Sequence, residues 1–318
     1  SNLLEDAAQE EKLSYRYKYN RDPRSEEKLI REAVAAARRA DVVVAAVGEA
    51  AYMAGESVSK TSLDLPGCQK RLLEALVKTG KPVVMVLFSG RPLTIAWEDA
   101  NMNAIVEAWH GGSETAAALA DVLFGDVNPS GKITMTFPYT VGQVPIYYNH
   151  KSNPRPVTPG RKTFKRYNSN WTDAPVEPLY PFGYGLSYTT FEYSAPVLTD
   201  TLIAGRAPVK AKVTVKNTGK YDGYETVQLY IRDILTPDWT RPVKELKGFQ
   251  KVFIKAGESA EVEFEITPEM LSWYVVDQYN MNGSGKPLSA ELVLEAGDFD
   301  IMTGPNSRDT QSTTLTVR

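Results

Sequence analysis

Two short β-branched runs without polar alternation, Val42–Val47 and Val83–Phe88, constrain this chain more than any other feature. A strand with one wet face alternates apolar and polar residues. A short unbroken apolar run instead reads as a strand covered on both faces, as in a parallel sheet. Parallel neighbours need crossover connections, commonly helices, and the flanking stretches carry a helical period. Ser25–Ala40 places Leu29, Ile30, Ala33, Val34 and Ala37 on one face, with acidic Glu26 and Glu27 in its first turn, where the helix dipole favours them. Gly67–Lys78 reads as a second helix ended by Gly80. Ala104–Trp109 is a third, weaker strand, and Ser113–Phe124 a helix capped by Ser113. Lys132–Phe137 alternates as an edge strand would. The expected fold is therefore an open, mostly parallel α/β sheet with flanking helices.

The pattern changes twice further on. Val141–Pro181 is rich in Pro, Asn, Tyr and Lys without a period, and is read as a connector that wraps over the first domain. After about residue 190 every apolar pattern has a period of two. Val209–Val215, Thr226–Ile231, Lys247–Ile254, Ala260–Ile266, Ala290–Leu294 and Thr313–Val317 predict an all-β sandwich of the immunoglobulin or fibronectin type III kind. The expected domains are 1–190, including the connector at 141–190, and 191–318. A chain of 318 residues has room for both.

Charge and composition exclude several functions. A net charge of −3 makes no electrostatic case for nucleic acid or an anionic membrane. No apolar run approaches the roughly 20 residues of a membrane-spanning helix. One cysteine, Cys68, permits no internal disulfide, and two histidines with one cysteine argue against a metal site. The opening is polar and acidic and lacks a starting Met, so the chain is expected to begin within a longer protein. Nucleophile-elbow, phosphate-loop and dinucleotide fingerprints are absent. Ser57–Lys60 and Lys78–Gly80 mimic penicillin-recognising motifs but lie too close together. Asn170–Thr172 and Asn282–Ser284 match the short glycosylation sequon.

In open α/β sheets, ligands bind beyond the carboxyl ends of the strands. The first strand runs into Glu49 and a loop holding Glu56. The second runs into Ser89-Gly90-Arg91, the third into His110-Gly111-Gly112. A strand-end carboxylate among apolar neighbours suits general-acid work; the same glutamates also fit plain exposed loop residues. His110 fits a ligand contact or a structural hydrogen bond. Tyr147, Tyr148, Tyr167, Trp171, Tyr180, Tyr184 and Tyr188 cluster in or beside the connector, where rings suit sugar faces or domain glue equally.

Five segments in order, VGEAAYMAGESVSKTSLDLPGCQ, GKPVVMVLFSGRPL, AWHGGSETAAALADVLFGDVNPSGKITMTFP, PIYYNH and LYPFGYGLSYTTF, resemble family 3 glycoside hydrolases of the periplasmic β-glucosidase type. The resemblance implies an N-terminal barrel, which has no counterpart in this chain, then an α/β sandwich and a fibronectin type III-like domain. It implies retaining hydrolysis of β-linked oligosaccharides or glycosides, without cofactor or metal. The nucleophilic aspartate would lie on the barrel. Glu56 is the first candidate for the general acid/base and Glu49 the second. Lys60, Arg91, His110, Tyr148 and Arg166 would contact substrate. Lys60 stands where the family often has Arg, a point charge in place of a fork. The resemblance also implies a periplasmic or extracellular location, and a chain inactive without its barrel. The alternative is a non-catalytic carbohydrate-binding or scaffold module. The fibronectin-like domain would act as a brace, or bind glucans through Trp239 and Trp273.

Overall fold

The computed structural model describes residues 22, 24–153, 155–157, 164–203, 207–234, 240–276 and 290–318. The chain divides into two compact units. The first comprises residues up to Phe124 together with Phe137–Val144; the second comprises Gly125–Thr136 and Pro145 onward.

In the first unit, helix α1 (Glu26–Ala37) starts where Ser25 Oγ accepts the Lys28 amide. Strand β1 (Val43–Gly48), helix α2 (Gln69–Val77), strand β2 (Val83–Phe88), short helix α3 (Ala96–Asn101), strand β3 (Ala104–Glu107) and helix α4 (Thr115–Phe124) follow. Among the described residues the strands form a parallel sheet in the order β1-β2-β3. Its register pairs Gly48 with Phe88 and Leu87 with Glu107, so the three carboxyl ends lie level at one edge. The unbroken apolar run of β2 is buried as its sequence predicts, with Met85 and Leu87 fully enclosed. The expectation of two covered faces fails for β1. Val44 is 53% exposed while Ala45 and Val47 are buried, because β1 is an outer strand whose described neighbours cover one face. Helix α4 begins two residues later than expected. Instead of a Ser113 cap, the Thr115 hydroxyl donates to the Gly112 carbonyl at 2.8 Å.

The second unit contains β4 (Phe191–Tyr193), β5 (Val197–Leu198), β6 (Leu202–Ile203), β7 (Val209–Asn217), β8 (Gly223–Asp233), β9 (Glu245–Ile254), β10 (Ser259–Ile266), helix α5 (Pro268–Leu271), and β11 (Trp273–Val276), β12 (Ala290–Val293), β13 (Gly297–Gly304) and β14 (Gln311–Val317). One sheet runs β10-β7-β4 and another β6-β14-β13-β8-β9. Alternation in β7 turns Val209, Ala211, Val213 and Val215 inward onto Val227, Leu229, Phe299, Ile301 and Leu315. This is the expected β-sandwich.

Residues 145–190 group with the sandwich rather than with the first unit. Gln228 and Tyr230 are buried on the second face of β8, where the Gln228 amide donates to the Gly183 carbonyl at 3.0 Å. Lys132–Phe137 forms no sheet-edge strand. Ile133 instead exchanges backbone hydrogen bonds with Gly183 and Tyr184, at 2.8 and 2.9 Å. Trp273 lies under the Arg241 guanidinium, 5.0 Å from its ring centroid. Trp239 and Asn282–Ser284 lie outside the described residues. The Asn170 amide of the other sequon donates to the Lys165 and Asn168 carbonyls.

Candidate active site

The ends of β1 and β2 meet at one carboxylate, Glu49. Gly48 closes β1 at φ +129°, with its N–H and C=O both bound by the Gln69 side-chain amide at 2.6 and 2.9 Å. A Cβ there would sit 1.9 Å from the Phe88 carbonyl oxygen, so only glycine lets β1 approach β2 this closely. The next residue, Glu49, has a fully enclosed side chain. Lys60 Nζ lies 3.0 Å from its Oε1, an ion pair without hydrogen-bond alignment. Oε2 accepts from the Gly90 amide at 3.2 Å and from Arg91 Nε at 3.3 Å. Two cations at this distance answer the desolvation that an isolated buried carboxylate would suffer.

Arg91 also reaches into the loop after β1. Its Nη2 donates to the carbonyls of Met53, at 2.6 Å, and Val58, at 3.4 Å. Between those carbonyls lies a tight turn, closed by the Val58 amide on the Gly55 carbonyl at 3.2 Å. Gly55 (φ +133°) and Ser57 (φ +62°) take left-handed conformations on either side of Glu56. Glu56 is exposed and makes no ion pair among the described residues. The two glutamates at the end of β1 thus have opposite environments.

The end of β3 adds a third carboxylate. Glu107 Oε1 accepts from the Trp109 amide at 2.9 Å and the buried Ser89 hydroxyl at 3.3 Å, while Oε2 is buried without a hydrogen-bond partner. Burial is the main cause that pushes its carboxyl up to about 7; Glu49's negative charge adds to this, and the two donors oppose it. Trp109 sits at φ +46°, held by that amide bond and by an edge-on contact with Phe137 at 5.7 Å. The turn brings His110 over Gly90, where a Cβ would lie 2.9 Å from His110 Nε2 and 2.6 Å from the Ala54 Cβ. Among the described residues, no group of three or more His, Cys, Asp or Glu side chains is placed to hold a metal ion. No described helix is long and apolar enough to cross a membrane.

Comparison with known proteins gives this edge a context. Residues 3–188 match the model of the glycosyl hydrolase family 3 C-terminal domain. The chain belongs to glycosyl hydrolase family 3. Residues 225–307 match a fibronectin type III-like domain. The chain is 48% identical over 253 residues to a periplasmic beta-glucosidase of Salmonella typhimurium, covering 80% of this chain and 33% of that protein. It is 40% identical over 292 residues to a beta-xylosidase of Formosa agariphila, covering 90% of this chain and 37% of the relative. Among solved structures it resembles a beta-glucosidase from Listeria innocua in complex with gluconolactone. That match has a TM-score of 0.82 and 40% identity, and covers 92% of this chain and 38% of the other. The chain therefore spans about a third of the length of the curated relatives it matches.

In this family 3 chain the structure draws together Glu49, Lys60 and Arg91, with His110 on Gly90 beside them, and sets Glu56 on the adjoining turn. Tyr148 and Arg166 belong to the second unit. Tyr148 stacks on Phe182 at 4.4 Å, and its hydroxyl accepts the Leu246 amide at 3.2 Å. Arg166 is exposed, 5.5 Å from the Tyr167 ring centroid. Sequence reasoning missed Gln69 and Glu107. Gln69 closes the motif SLDLPGCQ, at the start of a helix facing β1. Glu107 is the polar residue that ends an apolar strand, a position as telling as that of Glu49.

Proposed function

We propose that this chain is the acid/base-bearing part of an exo-acting, retaining β-glycosidase, with Glu56 as the general acid/base. The observation that carries the reading is the contrast between the two glutamates after β1. Glu56 stands exposed on a turn held at both flanks, whereas both oxygens of Glu49 are engaged by cations in the interior. A general acid must present a proton to substrate, and a carboxylate enclosed between Lys60 and Arg91 is not placed to do so. Membership of family 3 and likeness to a beta-glucosidase and a beta-xylosidase support β-linked glycosides as the substrate class.

Retaining hydrolysis needs a second carboxyl group roughly 5–5.5 Å from the first. In this reading an aspartate on a barrel domain of the full-length protein attacks the anomeric carbon. Glu56 gives its proton to the departing glycosidic oxygen, leaving a glycosyl-enzyme ester. The Glu56 carboxylate then takes a proton from water as that water attacks the anomeric carbon and releases the aspartate. Export to the periplasm or cell surface follows from the likeness to a periplasmic beta-glucosidase.

The test compares full-length wild type with Glu56→Ala and Glu49→Ala. Glu56→Ala should lose activity on alkyl and disaccharide β-glycosides, keep glycosylation by aryl glycosides with good leaving groups, and regain turnover with azide. The same pattern in Glu49→Ala alone would move the assignment. The 318-residue chain by itself should turn over no chromogenic β-glucoside. Turnover by it would remove the need for a barrel nucleophile.

A further inference from the structure

The loop that carries Glu56 is tied to the sheet through one buried carboxylate. Its first residue follows directly from Glu49, and Lys60, further along it, returns to Glu49 Oε1 at 3.0 Å. Its middle is held by Arg91, which binds Met53 and Val58 with one nitrogen and Glu49 with another. Glu49 itself is fixed by its amide on the Phe88 carbonyl at 2.7 Å and by the Gly90 amide. The two side chains that hold the loop, Lys60 and Arg91, both end on the Glu49 carboxylate.

We propose that Glu49, Arg91 and Lys60 form a positioning clasp that fixes the acid/base turn, with Glu49 as its anchor rather than a proton donor. The catalytic significance rests on Glu56 as the acid/base; the mechanical claim does not. The guanidinium matters as a fork. A lysine at position 91 would keep the charge but gather its donors on one nitrogen, whereas Arg91 reaches the two loop carbonyls through Nη2 and Glu49 through Nε. Loss of Glu49's charge would leave two cations in a partly buried pocket without an anion, and the loop would move to hydrate them. A proton donor displaced by about 1 Å loses roughly 100-fold in rate.

Two readouts separate the clasp from the function it serves. Hydrogen exchange is measured on the 318-residue chain as wild type, Glu49→Gln and Arg91→Lys. Exchange over residues 51–59 should rise about tenfold in both variants, with protection of Val83–Phe88 unchanged, as local opening without global unfolding requires. In the full-length enzyme both variants should lose kcat by roughly 10- to 100-fold on poor-leaving-group glycosides, with KM nearly constant. Unchanged exchange in Arg91→Lys, which keeps the buried charge pair, overturns the clasp. Wild-type kcat in Glu49→Gln overturns its catalytic consequence. If the full-length protein cleaves no glycoside, the functional reading fails, and exchange over residues 51–59 still decides whether the clasp exists.

Discussion

Glu107 should make the first unit lose stability as pH rises through neutrality. Its carboxyl sits at the end of β3 with one oxygen buried and unpartnered, close enough to Glu49 to feel its charge. Lys60 and Arg91 are ion-paired with Glu49 rather than with Glu107, so they do not cancel the burial. Its carboxyl moves from an ordinary 4.5 to about 7 in the folded chain. The folded state therefore binds more protons than the unfolded state between those values. Stability falls as pH rises across that window and levels off above it. At 1.36 kcal/mol per unit, the ionised form costs about 3 kcal/mol. Glu107→Gln keeps the shape and the acceptor for Trp109 and Ser89 but has nothing to ionise. Scanning calorimetry of wild type and variant at pH 5 and pH 8 should show similar melting at pH 5. At pH 8 the variant should be more stable by a few kcal/mol, a shift of several degrees. Differences between the two proteins cancel the other titrating groups. Parallel pH dependences would refute the reasoning, because they would mean that Glu107 titrates like a solvated glutamate.

Two further substitutions probe the framework. Gly48→Ala should destabilise the first unit by roughly 4 kcal/mol or more, since its Cβ would meet the Phe88 carbonyl at 1.9 Å in a left-handed conformation; a near-wild-type melting temperature would show that β1 shifts freely. In the sandwich, Glu225 is buried between Lys132 Nζ at 3.1 Å and the Tyr193 hydroxyl at 2.7 Å. Lys132→Met should cost roughly 3–5 kcal/mol in urea unfolding by stranding that charge. Adding Glu225→Gln should restore part of the loss, and additive effects would show that the pair does not interact.

Patterns that repeat over neighbouring residues were readable without a structure. The apolar run of β2 and the alternation of β7 state their burial directly, and both strands lie where the sequence places them. Strand β13 escaped notice because GDFDIMTG carries two glycines and two aspartates, poor strand formers. Its place comes from pairing with β8 on one side and β14 on the other. Lys132–Phe137 errs in the opposite sense, since its alternation is genuine but its partners are Gly183 and Tyr184.

The candidate site divides along the same line. Sequence alone put Glu49, Glu56, Arg91 and His110 at strand ends, because strand ends follow from local periodicity. Only the fold decided that Glu49 is enclosed by Lys60 and Arg91, that Glu56 stands in solvent, and that Glu107 is a third carboxylate of the same edge. Periodicity is a property of adjacent residues. Desolvation and ion pairing depend on groups such as Glu49 and Arg91 that lie far apart in the chain and meet at the carboxyl edge of the sheet.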